Sequence, residues 1–232
     1  MSISEIADVK GVVIGDVFCQ KRMFAHGQWS VPAYCEKLKE CNLNVILQTP
    51  MYMTSRYLPQ WLGLISYLED GDLVDAVLVQ DIGLLATLAQ KTPGVTLCWG
   101  QMGRNRGSQI NAPFLRLIMQ LGATAIQLDN PARGEAVASF GLDVWQVYGA
   151  LAYQSIWREC YSCDQLERSP QQCDRLCKRP LTLVSDELVL SVNGHILGEQ
   201  LIYSPEAKKQ WPFAQQQVVY AKNYSALKEV IT

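Results

Sequence analysis

Asp75-Ala-Val-Leu-Val-Gln80, a helical run from Ile82 to Gln90, the breaker Pro93-Gly94, and then Thr96-Leu-Cys-Trp-Gly100 form the stretch on which the fold is decided. The two outer runs are short and almost wholly apolar, as strands buried on both faces are. The segment between them is long enough for a helix and stops at a proline–glycine pair. Strand, helix and strand in this order call for a parallel pair with a crossover helix on one face.

The same alternation runs outward in both directions. Upstream, Val12-Val-Ile-Gly-Asp-Val17 and Asn44-Val-Ile-Leu-Gln-Thr49 read as strands. Helices are predicted from Val31 to Cys41, with Ser30 as N-cap and Pro32 in its first turn, and from Arg56 to Glu69, ending near Gly71. Downstream, helices are predicted at Asn111–Leu121, stopped by Gly122, and at Pro131–Phe140. Strands follow at Ala123–Leu128 and Asp143–Tyr148.

Beyond residue 180, Leu181-Thr-Leu-Val and Leu188-Val-Leu-Ser-Val192 suggest a small antiparallel addition turned at Asn193-Gly194. Gln217-Val-Val-Tyr-Ala221 is a last strand. Pro205–Trp211 and Tyr224–Ile231 read as helices. Seven clear βα-type strands, with an eighth doubtful one at Gln200–Tyr203, predict an α/β fold, a TIM-barrel-like (β/α) barrel that is one strand short. A doubly wound open sheet is the competing architecture. No linker or low-complexity stretch divides the chain, so residues 1–232 are expected to form a single barrel-like domain.

Composition narrows the function classes. The chain is 49% hydrophobic and 18% charged, which suits a buried globular core. A net charge of −2 argues against a mainly electrostatic nucleic-acid binder. The acidic N-terminus has no apolar signal region, and no apolar run approaches the roughly 18–20 residues needed to cross a bilayer. A cytoplasmic protein with reduced thiols is the expectation, without membrane insertion.

That leaves eight cysteines to explain. Four fall in Cys160-Tyr-Ser-Cys163-Asp-Gln-Leu-Glu-Arg-Ser-Pro-Gln-Gln-Cys173-Asp-Arg-Leu-Cys177, inside an insertion at about 153–180 that holds little apolar material. Thiols this dense in a reduced compartment point to a metal site rather than to disulfides. Barrel active sites lie at the C-terminal strand ends, and here those ends carry Cys19, Gln48, Gln80, Asp81, Gln101, Asp129, Asn130 and Tyr148. The insertion follows the strand ending at Tyr148, so its cysteines emerge on the face that carries Cys19. Spacing alone leaves two solutions open. One is a zinc site of Cys160, Cys163, Cys173 and Cys177. The other is an iron–sulfur cluster in which Cys19 replaces Cys163.

Gly-Asp-Val-Phe-Cys19-Gln-Lys-Arg22 and Val45-Ile-Leu-Gln-Thr49 match one family, as do Tyr148-Gly149-Ala-Leu-Ala, the Cys160, Cys173, Cys177 spacing and Val192-Asn193-Gly194. In these blocks the chain resembles the UbiV-like branch of the collagenase-like peptidase (peptidase U) family. The resemblance implies a 4Fe–4S cluster on Cys19, Cys160, Cys173 and Cys177, with Cys163 spare. It further implies oxygen-independent hydroxylation of the anaerobic ubiquinone-biosynthesis type beside a related barrel subunit, UbiU-like, with a small anionic metabolite such as prephenate giving the hydroxyl oxygen. Measured against that family the chain starts after the first barrel strand, so an open edge covered by the partner is expected. Two alternatives stand beside this reading: an RNA-hydroxylation enzyme of the same family, and a non-catalytic zinc-stabilised partner subunit.

Other residues have both a functional and a bland reading. Gly103-Arg-Asn-Arg-Gly107 precedes a helix, and Arg104 and Arg106 suit a carboxylate ligand, or form a solvated turn. Asp81, Asp129 and Asn130 are candidates for substrate binding or acid–base work, or else helix caps. Cys35, Cys41 and Cys98 are expected to be buried, and Trp157 to shield the cluster. With only His26 and His195, a histidine-rich metal site is excluded. The absence of a Gly-x-Ser-x-Gly elbow and of His-Glu-x-x-His counts against peptidase activity.

Overall fold

The computed structural model describes residues 11–16, 19–24, 31–100, 110–128 and 134–148. Beyond them it describes residue 172 and the segments 151–152, 155–156, 180–184, 189–193, 196–197, 200–201 and 216–220. The strands are β1 (Gly11–Gly15), β2 (Asn44–Gln48), β3 (Ala76–Val79), β4 (Thr96–Trp99), β5 (Ala125–Leu128), β6 (Asp143–Tyr148), β7 (Leu151–Ala152), β8 (Ser155–Ile156), β9 (Pro180–Val184), β10 (Val189–Asn193), β11 (Ile196–Leu197), β12 (Gln200–Leu201) and β13 (Gln216–Tyr220). The helices are α1 (Val31–Glu40), α2 (Leu58–Asp70), α3 (Ile82–Lys91), α4 (Ala112–Gln120) and α5 (Gly134–Ala138).

Seven strands form the barrel, in the order β1-β13-β6-β5-β4-β3-β2, and every neighbouring pair is parallel. The fold is therefore α/β and TIM-barrel-like, one strand short of eight as the strand count predicted. The doubly wound alternative is excluded, because the sheet returns on itself. The expected open edge is also corrected. Gly11 pairs with both Val218 of β13 and Asn44 of β2, so β1 has a neighbour on each side. The doubtful eighth strand lies elsewhere: Gln200 and Leu201 pair antiparallel with Ala152 and Leu151.

Local chemistry explains where the helices begin. Asp81 caps α3 by accepting the Leu84 N–H at 2.9 Å, and Asn111 caps α4 by accepting the Phe114 N–H at 2.9 Å. Tyr57, at the start of α2, supplies no side-chain cap, and Pro59 sits in the first turn, where a missing N–H costs nothing. The buried strand positions Val12, Ile14, Val45, Leu47, Val77, Val79, Leu97, Ile126 and Val144 join the helices in one apolar cluster. Alternate positions, among them Val13, Ile46, Leu78, Cys98, Ala125 and Trp145, are equally buried but stand apart from it. By strand alternation they face the lumen.

The antiparallel addition is present and is wider than the predicted hairpin, with β8-β11-β10-β9 forming four strands. Its register aligns Ile156, Ile196, Asn193 and Pro180 in one row. The chain thus leaves the sheet at Ile156 and rejoins it at Pro180 along one rim, three strand spacings or about 14 Å apart. Among the described residues no helix is long and apolar enough to cross a membrane. The expected helices at Pro205–Trp211 and Tyr224–Ile231, and the cap Ser30, lie outside the described residues.

Gly15 closes β1 at φ +128°, and a Cβ there would clash with the Gln48 carbonyl oxygen. Gly15→Ala is expected to lower unfolding stability by about 1–3 kcal/mol, read as a drop in the urea midpoint without a change of slope.

Candidate functional site

The candidate site is the C-terminal end of the barrel, and its best-described part is the turn that follows β1. Asp16 is 4% exposed, and its Oδ1 accepts the Cys19 N–H at 3.0 Å, which folds the chain back over the strand end. Gln20 and Lys21 then turn inward and are buried. The Gln20 Oε1 accepts both the N–H and the hydroxyl of Thr54, each at 2.9 Å. The Trp61 indole of α2 donates to the Gln20 carbonyl at 2.9 Å, and its ring meets Phe24 edge-on at 5.6 Å. Side chains on both sides of the turn thus pin Cys19 in place, and its own side chain is half-buried.

Two cations meet on one ring near the end of this turn. The Lys21 ammonium lies 5.1 Å from the Tyr57 ring centroid and the Arg56 guanidinium 5.5 Å from it, both as cation–π contacts. Among the described residues the buried Tyr57 hydroxyl has no hydrogen-bond partner. The sequence reading passed over Lys21, Arg56 and Tyr57. The one available signal was the position of Lys21, two residues after Cys19 at a strand end.

The other predicted residues divide clearly. Gln48 and Gln80 are buried at their strand ends, as placed. Asp81 takes its bland role: Oδ1 caps α3, and Oδ2 accepts the Met53 N–H at 3.3 Å. Cys35 and Cys98 are buried as expected, but Cys41 is exposed, because α1 stops at Glu40 and leaves it in the following turn. Cys160, Cys163, Cys173 and Cys177, together with Arg104, Arg106, Gln101, Asp129, Asn130, Trp157, His26 and His195, lie outside the described residues. Among the described residues no three histidine, cysteine or acidic side chains come together as a metal site.

The described cysteines are thiols with different surroundings. Burial pushes the Cys35 thiol up to about 12, with Glu36 adding to the shift, and burial raises Cys98 well above the ordinary value. Cys98 faces the lumen, and its thiol points to the Trp99 carbonyl at 3.9 Å. Neither thiol offers a ready nucleophile or metal ligand.

No family model matches the chain, and no curated protein matches it. Among solved structures, the U32 peptidase Mk0906 superposes with a TM-score of 0.53 at 13% identity, over 96% of this chain and 90% of that one. This likeness supports the barrel fold. A protein named as a glycerophosphodiester phosphodiesterase from Galdieria sulphuraria gives a TM-score of 0.39 at 17% identity, over 63% of this chain and 56% of that one. At that score it carries no argument.

Two outcomes follow from the thiol environments. With a disulfide reagent under native conditions and peptide mapping, Cys41 should react faster than Cys19, and Cys35 and Cys98 only on unfolding. Asp16→Ala should speed Cys19 by up to about tenfold, the worth of the lost hydrogen bond. Because burial holds the Cys35 thiol above the ordinary 9.0, at about 12, its contribution to stability is intact below about pH 9 and is lost as the pH climbs toward 12. Denaturation midpoints should fall across that window, and less steeply in Cys35→Ala.

Proposed function

We propose that the protein is an iron–sulfur protein of the UbiV-like type that takes part in oxygen-independent hydroxylation, with a 4Fe–4S cluster held by Cys19, Cys160, Cys173 and Cys177. The observation that carries this reading is the placing of Cys19. It is a half-buried thiol in a pinned turn at the C-terminal end of β1, and β6, parallel within the same barrel, ends at Tyr148 on that face. The chain that carries the other three cysteines sets out from there. Its two ends, Ile156 and Pro180, are held on one rim of the four-stranded sheet.

A single thiolate fits such a cluster as one donor among four. When bound, the cluster would supply one-electron chemistry at the barrel mouth. This chain would hold it there and keep the ligand turn rigid through Asp16, Gln20 and Trp61. Arg104, Arg106 and Asp129 are proposed to contact a small anionic oxygen donor such as prephenate. A UbiU-like barrel is the proposed partner. The closed barrel removes the open edge as a reason for it, so the partner rests on the resemblance alone.

Anaerobic purification with iron, sulfide and zinc analysis tests the reading. Expected are about four irons and four sulfides per chain, lost in Cys19→Ala and kept in Cys163→Ala. A colourless protein with one zinc that depends on Cys163 overturns it in favour of the zinc-stabilised subunit. Arg104→Ala and Arg106→Ala should keep the cluster and weaken donor binding. Full activity in both would remove the arginines from the site.

A further inference from the structure

Among the described residues α2 is the longest helix, and it buries Trp61, Ile65 and Leu68 against the barrel. Its outer face is harder to explain by folding. From Leu58 to Leu68 the helix carries no charged side chain, although a solvent-facing stripe normally collects charge. After Pro59 its exposed positions are Gln60, Gly63, Tyr67 and Asp70. They recur at steps of three and four residues, so they form one stripe along the helix.

Two of the four are at odds with a face that meets only water. Tyr67 is 60% exposed, more than any other large hydrophobic side chain among the described residues. An isolated exposed aromatic needs no explanation, but this one stands a single turn from Gly63. Glycine is the poorest helix former after proline, and a Cβ on Gly63 would meet no atom within 4 Å. Nothing inside the chain therefore calls for glycine there, since alanine would fit and would favour the helix. What the glycine leaves is a notch in the outer surface, beside a ring that projects from it.

The stripe also reads the same in both directions. Gly63 and Tyr67 stand two positions either side of Ile65, and Gln60 and Asp70 stand five. We propose that the chain pairs with a second copy of itself along α2, antiparallel, about a two-fold axis at Ile65. That axis brings each position opposite its mirror. Each Tyr67 ring enters the other copy's Gly63 notch, and each Gln60 amide donates to the other copy's Asp70 carboxylate. One set of four residues thus meets both shape and charge, twice. A parallel crossing would set tyrosine on tyrosine and aspartate on aspartate, and a foreign partner would not require the spacing to be symmetric. The neighbouring α3 does not hold the copies apart, because its outer positions Gly83, Ala86 and Gln90 are uncharged and two of them are small. A helix pair buries less than the roughly 800 Å² per partner of a standard interface, so this dimer dissociates on dilution. The pairing does not depend on the cluster or on the hydroxylation reading.

Sedimentation velocity on the full chain, purified anaerobically, tests this across a dilution series. The expected result is a dimer at high concentration that gives way to monomer. Tyr67→Ala should weaken it by about tenfold or more, as loss of a central aromatic anchor does. Gly63→Ala should weaken it too while raising the unfolding midpoint of the dilute monomer, which separates a filled notch from a damaged fold. The register is read by charge. Gln60→Glu sets two carboxylates face to face and should weaken the dimer several-fold, and adding Asp70→Lys to the same chain should restore it. Within one helix these two positions are about 15 Å apart, beyond the screening length of about 8 Å, so restoration comes only from across the interface. A monomer at every concentration overturns the proposal. So does a dimer that Tyr67→Ala and Gly63→Ala leave unchanged, or a loss in Gln60→Glu that Asp70→Lys does not reverse.

Discussion

The pairing of β1 with β13 is the constraint on which the structure depends. It joins strands from opposite ends of the chain, with Gly11 against Val218 and Val13 against Tyr220, and turns a sheet with two edges into a ring with none. Closing so long a loop costs conformational entropy before any contact forms. What offsets it is burial on both faces of β1, helix-side by Val12 and Ile14 and lumen-side by Val13. Closure also fixes where β1 ends. Gly15 must lie against the Gln48 carbonyl, and only a residue without a Cβ fits at its positive φ.

The turn after Gly15 inherits that position. Asp16 cannot point to solvent once β1 is clamped between two neighbours, and its carboxylate is met by the Cys19 N–H. Burying Gln20 would cost desolvation, but Thr54 supplies two donors to its side chain and Trp61 one to its backbone. A thiol on a turn whose backbone and neighbouring side chain are held by four such bonds loses little further entropy on binding a ligand, which is what distinguishes Cys19 from the exposed Cys41.

Much of the scaffold was legible because two buried faces leave a strong trace: runs such as Ala76-Val-Leu-Val79 admit few other readings. The cap Asp81 was legible for a local reason, since a capping side chain acts within three residues of itself, whereas Asn111, read as the first helical residue, proved to be the cap before it. Non-local facts were not. Whether seven strands close or stay open turns on the meeting of β1 and β13, which no window of sequence contains. The pairing of Gln200 with Ala152 took the doubtful strand out of the barrel for the same reason. At the site, the sequence marked Cys19 and the strand-end glutamines by position. It was silent on Lys21 and Tyr57, which become neighbours only when α2 folds over the turn.

The lumen shows why its two ends differ. Val13, Ile46, Ala76, Cys98 and Ala125 fill the lower and middle part with apolar atoms that ask for nothing. Above them stand Gln48, Gln80 and Gln127, side chains that bury poorly. A buried polar atom left unmet costs about 1–3 kcal/mol, and a domain is stable by only about 5–15 kcal/mol. Among the described residues the amide oxygens of Gln48 and Gln127 are two such atoms, whereas leucine or methionine at the same positions would cost nothing of the kind. Apolar packing therefore does not account for them. The buried polar side chains stand at one end of the lumen, the same end that presents Cys19.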